Sequence, residues 1–124
     1  MKIYGSKDAR DEPRKGYTLG ILAEVPLPKE VSSVGFFRPS IPPQGKLRNH
    51  YHEGSMEFMV FAHHSQIRMG DEIYTISPGE IVLIFPGEPH EIIAGAEGSS
   101  PLIIKLPNNP EDIKFLEKGS SVDE

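Results

Sequence analysis

The 124-residue chain contains no cysteine and no tryptophan. Without cysteine there can be no disulfide, no thiolate zinc site and no cysteine nucleophile. Positive charge is also scarce. Lysine and arginine number 13 against 18 aspartate and glutamate, a formal net charge of −5. No basic stripe exists, so nucleic acid is not an expected partner. No apolar run approaches the roughly 20 residues needed to cross a bilayer, which argues against a membrane partner. The first residues, Met1 to Arg10, lack the apolar stretch of a signal peptide. A cytoplasmic location is therefore the expectation. Helical periodicity is missing too, apart from a short turn suggested at 111–117.

Glycine and proline, by contrast, are plentiful, with twelve of each. They cluster at joints such as Pro39-Ser40-Ile41-Pro42-Pro43, Ser77-Pro78-Gly79 and Phe85-Pro86-Gly87. Between the joints lie short runs rich in β-branched and aromatic residues. Strands are expected near 17–24, 34–39, 47–52, 57–62, 65–69, 72–76, 81–85, 91–93 and 102–106. Many short strands with such turns predict an all-β sandwich or barrel. The clearest hairpin is Met69-Gly70-Asp71-Glu72, because Gly-Asp suits a positive backbone angle. A single domain over 1–124 is expected, with its core at about 17–106, an irregular segment at 1–16 and a frayed tail at 118–124.

Parity assigns faces. Side chains alternate along a strand, so His50 and His52 share one face and Tyr51 takes the other. Arg48 is expected on the histidine face. Four residues separate His52 from Glu57, enough for a turn and a return to that face. Met59 and Phe61 then line the same interior, and Phe58 and Val60 face out although they are apolar. Ile81 to Phe85 is likewise apolar on both faces. A strand apolar on both sides is covered on both sides, by a second layer or by another subunit, and a homodimer is the expectation.

The chemistry lies in His50-Tyr51-His52-Glu53-Gly54-Ser55-Met56-Glu57 and in Gly79 to His90. Imidazoles and a carboxylate converging from different strands are what a divalent transition metal needs. An H-x-H pair alone is weak evidence, and the adjacent pair His63-His64 reads as a solvated turn. Adding Glu57 and the glycine-flanked His90 makes metal binding the better reading. The expected ligands are His50, His52, Glu57 and His90. The ion is one of Fe, Mn, Ni, Co or Zn.

These residues resemble the two sequence motifs of the cupin superfamily. Gly45, His50, His52 and Glu57 fill the first; Gly79, Gly87 and His90 fill the second. Phe85 stands where the second motif has proline, Ala94 where asparagine is common, and His64 where a glycine closes the first. The resemblance spans roughly 30–106 and implies a double-stranded β-helix, or jelly-roll barrel. The run Arg48-Asn49-His50-Tyr51-His52 is similar to carbohydrate-modifying members. That resemblance implies a metal-dependent isomerase or epimerase of a sugar or sugar derivative, with a sugar or sugar phosphate as ligand and Glu57 and His52 moving the proton. A non-haem iron oxygenase and a non-catalytic small-ligand-binding cupin are the alternatives, since one barrel hosts all three.

Overall fold

The computed structural model describes residues 1–27 and 30–116. Its twelve strands are β1 (Lys2–Tyr4), β2 (Arg10–Arg14), β3 (Tyr17–Ile21), β4 (Gly35–Phe37), β5 (Lys46–Tyr51), β6 (Met56–Val60), β7 (Ser65–Met69), β8 (Glu72–Ile76), β9 (Ile81–Ile84), β10 (His90–Ala94), β11 (Leu102–Leu106) and β12 (Lys114–Phe115). The nine expected strands are all present. Those at Ser65–Met69, Glu72–Ile76 and Leu102–Leu106 match at both ends, and the rest differ by one to three residues at an end. The hairpin between β7 and β8 turns on Gly70, whose φ is +62°.

Two five-stranded antiparallel sheets form the barrel, ordered β1-β9-β6-β11-β4 and β12-β5-β10-β7-β8. The core lies between them. Met59, Val82, Ile84 and Ile103 come from the first sheet, and Ile67, Ile76 and Ile92 from the second. Met59 and Phe61 are buried, while Phe58 and Val60 are partly covered, as their parity requires.

The N-terminal segment corrects the expectation of irregularity over 1–16. β1 pairs with β9, setting Ile3 opposite Val82, and Ile3 packs against the core. β2 pairs with β3 in a separate two-stranded ribbon. Its sequence, Arg-Asp-Glu-Pro-Arg, has no apolar alternation to reveal a strand. Ladder hydrogen bonds, not burial, define it. The turn suggested at 111–117 also differs: β12 occupies Lys114–Phe115 and pairs with β5. Residue 117 and the expected tail at 118–124 lie outside the described residues.

One irregularity positions the site. Leu47 stands opposite Ile92 and His50 opposite His90, with a register shift between the two pairs. Three steps along β5 thus match two along β10, a bulge of one residue. The bulge lets Leu47 pack on the core and His50, three residues later, still turn inward. Arg48 cannot follow the histidine parity past it. Its side chain is exposed, with the guanidinium 4.1 Å from the centroid of the Phe115 ring. This corrects the expectation that Arg48 points inward.

Candidate metal centre

His50 lies on β5, and His52 follows one residue beyond the strand's end. Glu57 is the second residue of β6 and His90 the first of β10. All four are buried, with relative exposures of 5%, 4%, 4% and 0% in chain order. One ligand atom from each lies within 4.8 Å of the others. The four expected ligands are therefore brought together. His63 and His64 lie on a bend outside this group, partly buried and exposed respectively.

Two turns hold the histidines. In the turn from Phe85 to Glu88, Gly87 has a φ of +84°, a conformation that side-chain-bearing residues avoid. The Gly87 N–H donates to the His52 carbonyl at 2.7 Å, tying this turn to the first motif. The Glu88 carboxylate accepts from the Phe85 N–H and pairs with the N-terminal amine of Met1. The second turn, Glu53 to Ser55, is clamped by Asp112. That carboxylate accepts from the N–H groups of Glu53 and Gly54 and from the Ser55 hydroxyl. What little burial Asp112 has would raise its pKa, but these donors hold it below the ordinary aspartate value.

The three imidazoles share one arrangement. His50 Nδ1 lies 2.6 Å from the Arg48 carbonyl, His52 Nδ1 2.5 Å from that of Asp112, and His90 Nδ1 2.9 Å from that of Glu88. A carbonyl oxygen only accepts, so each Nδ1 carries the hydrogen and each neutral ring presents a bare Nε2 lone pair. His52 Nε2 lies 3.2 Å from Glu57 Oε2, and His90 Nε2 lies 3.1 Å from Oε1. In these neutral tautomers the contacts set acceptor against acceptor. Accordingly His52 Nε2, His90 Nε2 and Glu57 Oε1 are buried without a hydrogen-bond partner among the described residues.

Buried lone pairs facing each other at 3 Å demand a proton or a cation between them. The electrostatics agree. Burial would make His52 harder to protonate, but its contact with the Glu57 carboxylate outweighs this and raises its pKa. Burial would likewise raise the Glu57 pKa, but His52 and His90 hold it well below the carboxylate range. His50 goes the other way: burial, aided by the nearby His90, lowers its pKa to about 4. The donor set suits a first-row divalent ion, with three imidazole nitrogens, one carboxylate and second-shell carbonyls fixing every ring.

Two residues near the site escape a reading based on motifs. Asp112 is 55 positions beyond Glu57, in an ordinary-looking loop, and no spacing rule connects them. Lys105 did carry a signal. It is the one charge in the apolar run Leu102-Ile-Ile-Lys-Leu106 and shares the parity of Ile103, a core residue. It stands opposite Glu57 in the pairing of β11 with β6, with an exposure of only 7%. Its charge is near enough to oppose protonation of His52.

The fold and the site find counterparts among known proteins. The family model for the AraC-like ligand binding domain matches residues 48–109, a span that holds all four candidate ligands. No functionally curated protein matches the chain in sequence. Similar solved structures include an uncharacterized conserved protein with a double-stranded β-helix domain from Klebsiella pneumoniae, at TM-score 0.61 and 13% identity over 72% of this chain and 79% of that one. A cupin-superfamily sugar phosphate isomerase from Silicibacter pomeroyi gives TM-score 0.59 and 15% identity over 70% of this chain and 59% of that one. Oxalate decarboxylase from Bacillus subtilis gives 0.58 and 17% over 68% of this chain, which spans 24% of that larger protein. Identities this low establish the shared fold alone. No helix among the described residues is long and apolar enough to cross a membrane. With half its length matched by the family model and the double-stranded β-helix in place around the site, the chain belongs to the AraC-like ligand binding domain family of cupin proteins.

Proposed function

We propose that this protein is a metal-dependent enzyme that isomerises or epimerises a small sugar derivative. The observation that carries the reading is the convergence of four buried metal-ligating side chains, of which His52, Glu57 and His90 present atoms with no hydrogen-bond partner among the described residues. His50, His52, Glu57 and His90 would hold one divalent ion. Such an ion, when bound, supplies a Lewis acid that stabilises negative charge developing on a substrate oxygen. Glu57 and His52 are the candidates for moving the proton. Glu57 offers one oxygen toward His90 and the other toward His52, so one can bind an ion while the other accepts a proton. The three carbonyls behind the imidazoles keep the rings from turning as charge changes. The sugar assignment rests on the likeness to carbohydrate-modifying cupins, one of which shares the fold.

The test is proton exchange. The metal-loaded protein is incubated in deuterated water with sugars, sugar phosphates and sugar acids, and the C–H signals next to each carbonyl are followed by NMR. A substrate should lose such a signal in the presence of protein and metal but not of either alone. Exchange absent across the whole set would end the isomerase reading. The family's description favours one other reading, a non-catalytic ligand-binding module. That reading predicts ligand-dependent stabilisation without exchange. Oxygen consumption dependent on iron would instead mark an oxygenase.

We also propose that the protein works as a homodimer. Across the outer face of the first sheet, Leu83, Phe58, Ile104 and Phe36 stand in one register row. Phe36 is 66% exposed at its edge and Phe37 45%. Leu83 is already buried within the chain, and a second copy would cover the remainder of the row from Phe58 to Phe36.

A further inference from the structure

The interior has a second polar pole. Strand register places Ile84, Glu57, Lys105 and Gly35 in one row across β9, β6, β11 and β4. Directly paired residues share a face. Glu57 faces the interior, so Lys105 does as well, and its 7% exposure agrees. Among the described residues the Lys105 side chain makes no hydrogen bond, and no carboxylate oxygen lies within the 4 Å that would make an ion pair with it. Its Nζ is not sealed from solvent, so the ammonium stays open to an anion although most of the side chain is buried. Glu57 cannot serve as its partner while its oxygens face His52 and His90.

Beyond Lys105 the row ends in glycine, and the place of the missing side chain is taken by the Phe37 ring and Asn108. A Cβ at Gly35 would come within 2.7 Å of Asn108 Cγ and Oδ1. The Asn108 amide therefore occupies the place of a side chain at that position, on the opposite side of Lys105 from Glu57. Its Oδ1 is buried and has no hydrogen-bond partner. Ser33 fixes the Asn108 backbone by hydrogen bonds to both its N–H and its carbonyl. An unpaired cation and an unpaired acceptor thus occupy neighbouring places of one row, next to a metal-ligand candidate. Together they complement an oxyanion that carries a neighbouring hydroxyl.

We propose that Lys105 and Asn108 form a subsite beside the metal centre, in which Lys105 binds the oxyanion of the substrate and Asn108 accepts a hydrogen bond from an adjacent hydroxyl. The molecule handled is then an acid or a phosphate ester, not a neutral sugar. The inference deepens the function proposed above and rests on it.

Calorimetric titration of the metal-loaded protein tests it, with glycolate, inorganic phosphate and ethylene glycol, the last a neutral counterpart of glycolate. At least one anion should bind, and ethylene glycol should bind at least about 10-fold more weakly, the worth of one charged hydrogen bond. Tighter binding of glycolate would identify a carboxylate as the natural group, and tighter binding of phosphate a phosphate ester. Lys105→Met fills the same space without charge. It should keep its metal content and lose at least about 10-fold in anion affinity, while Lys105→Arg retains most of it. Asn108→Ala should weaken glycolate more than phosphate, since only glycolate brings an alcohol hydroxyl. Equal anion affinity in Lys105→Met and the natural protein would overturn the proposal. So would binding of neither anion, or of ethylene glycol as tightly as glycolate. If the protein takes up no metal, the function proposed above fails on that ground, and titration of the same metal-free protein still decides whether Lys105 binds anions.

Discussion

The backbone carbonyl of Asp112 accepts the Nδ1 hydrogen of His52 at 2.5 Å, while the carboxylate of the same residue clamps the turn that carries the chain from His52 to Glu57. One loop residue therefore orients one ligand and sets the path to another. Asp112→Ala should leave the ligand set intact but weaken metal affinity by about 10- to 100-fold, the usual effect of losing an outer-shell partner. Asp112→Asn keeps one acceptor and should fall between. Competition with a chelator of known affinity measures both. Unchanged affinity in Asp112→Ala would remove the residue from the metal centre.

Protein purified without chelator should carry close to one equivalent of a first-row divalent ion by elemental analysis, and His52→Ala or His90→Ala should strip most of it. Glu57→Gln separates two roles. If Glu57 is mainly a ligand, the variant binds metal more weakly, and activity recovers with excess metal. If it is mainly the base, occupancy stays high while turnover falls by about 10² to 10⁴. The ligand role is the expected outcome, because Glu57 is buried between two bare imidazole nitrogens. Full occupancy with unaltered affinity in Glu57→Gln would reverse that assignment.

Metal-free protein should show a stability maximum near neutral pH. Burial lowers the His50 pKa from 6.5 to about 4, so the unfolded chain binds the extra proton in that window. The contribution is complete above pH 6.5 and is lost as pH falls toward 4. At about 1.4 kcal/mol per unit, it is on the order of 3 kcal/mol. His52 has the opposite sign: its pKa is raised above 6.5 through Glu57, so its contribution is present below 6.5 and fades at higher pH. Glu57, held low, loses its contribution only below the carboxylate value of 4.5. Thermal melts of chelator-treated protein from pH 4 to 9 test this. His50→Asn should flatten the acid limb, and an unaltered limb would sink the assignment. In the loaded protein, acid should also release the ion, because imidazole must be neutral to bind.

A homodimer closed over the outer face should sediment at twice the 13.8 kDa chain mass. Phe58→Asp places a charge in the middle of the row joining Leu83, Ile104 and Phe36, and should yield monomer. A concentration-independent monomer mass for the natural protein would dispose of the dimer.

Much of this molecule was legible in its residues, and the boundary of legibility is physical. His50, His52, Glu57 and His90 were readable because ligands on strands must obey parity and turns between them must be short. Strands such as β8 and β11 were readable from runs rich in β-branched and aromatic residues between glycine and proline joints. β2 was not, because a strand held by ladder hydrogen bonds alone leaves no periodic trace in its side chains. The orientation of Arg48 was misjudged because strict alternation does not know about a bulge, and the bulge depends on which residues of β10 face Leu47 and His50. Asp112 was hidden for a different reason: it acts through its carbonyl and through loop amides 58 and 59 positions away, contacts set by tertiary structure alone.

The placement of the ligands across the barrel has one more consequence. Glu57 belongs to one sheet, and His50 and His90 to the other. An ion held by all of them would join the two halves of the barrel through its own bonds, in a chain that has no cysteine to do so. It would act as a removable cross-link, one that a chelator opens and a thiol reductant does not cleave as it would a disulfide. Its signature would be kinetic: amide hydrogens of β6 and β10 should exchange together, and far more slowly in the loaded protein than in the stripped one. The barrel's resistance to opening would then report whether the candidate metal site is filled.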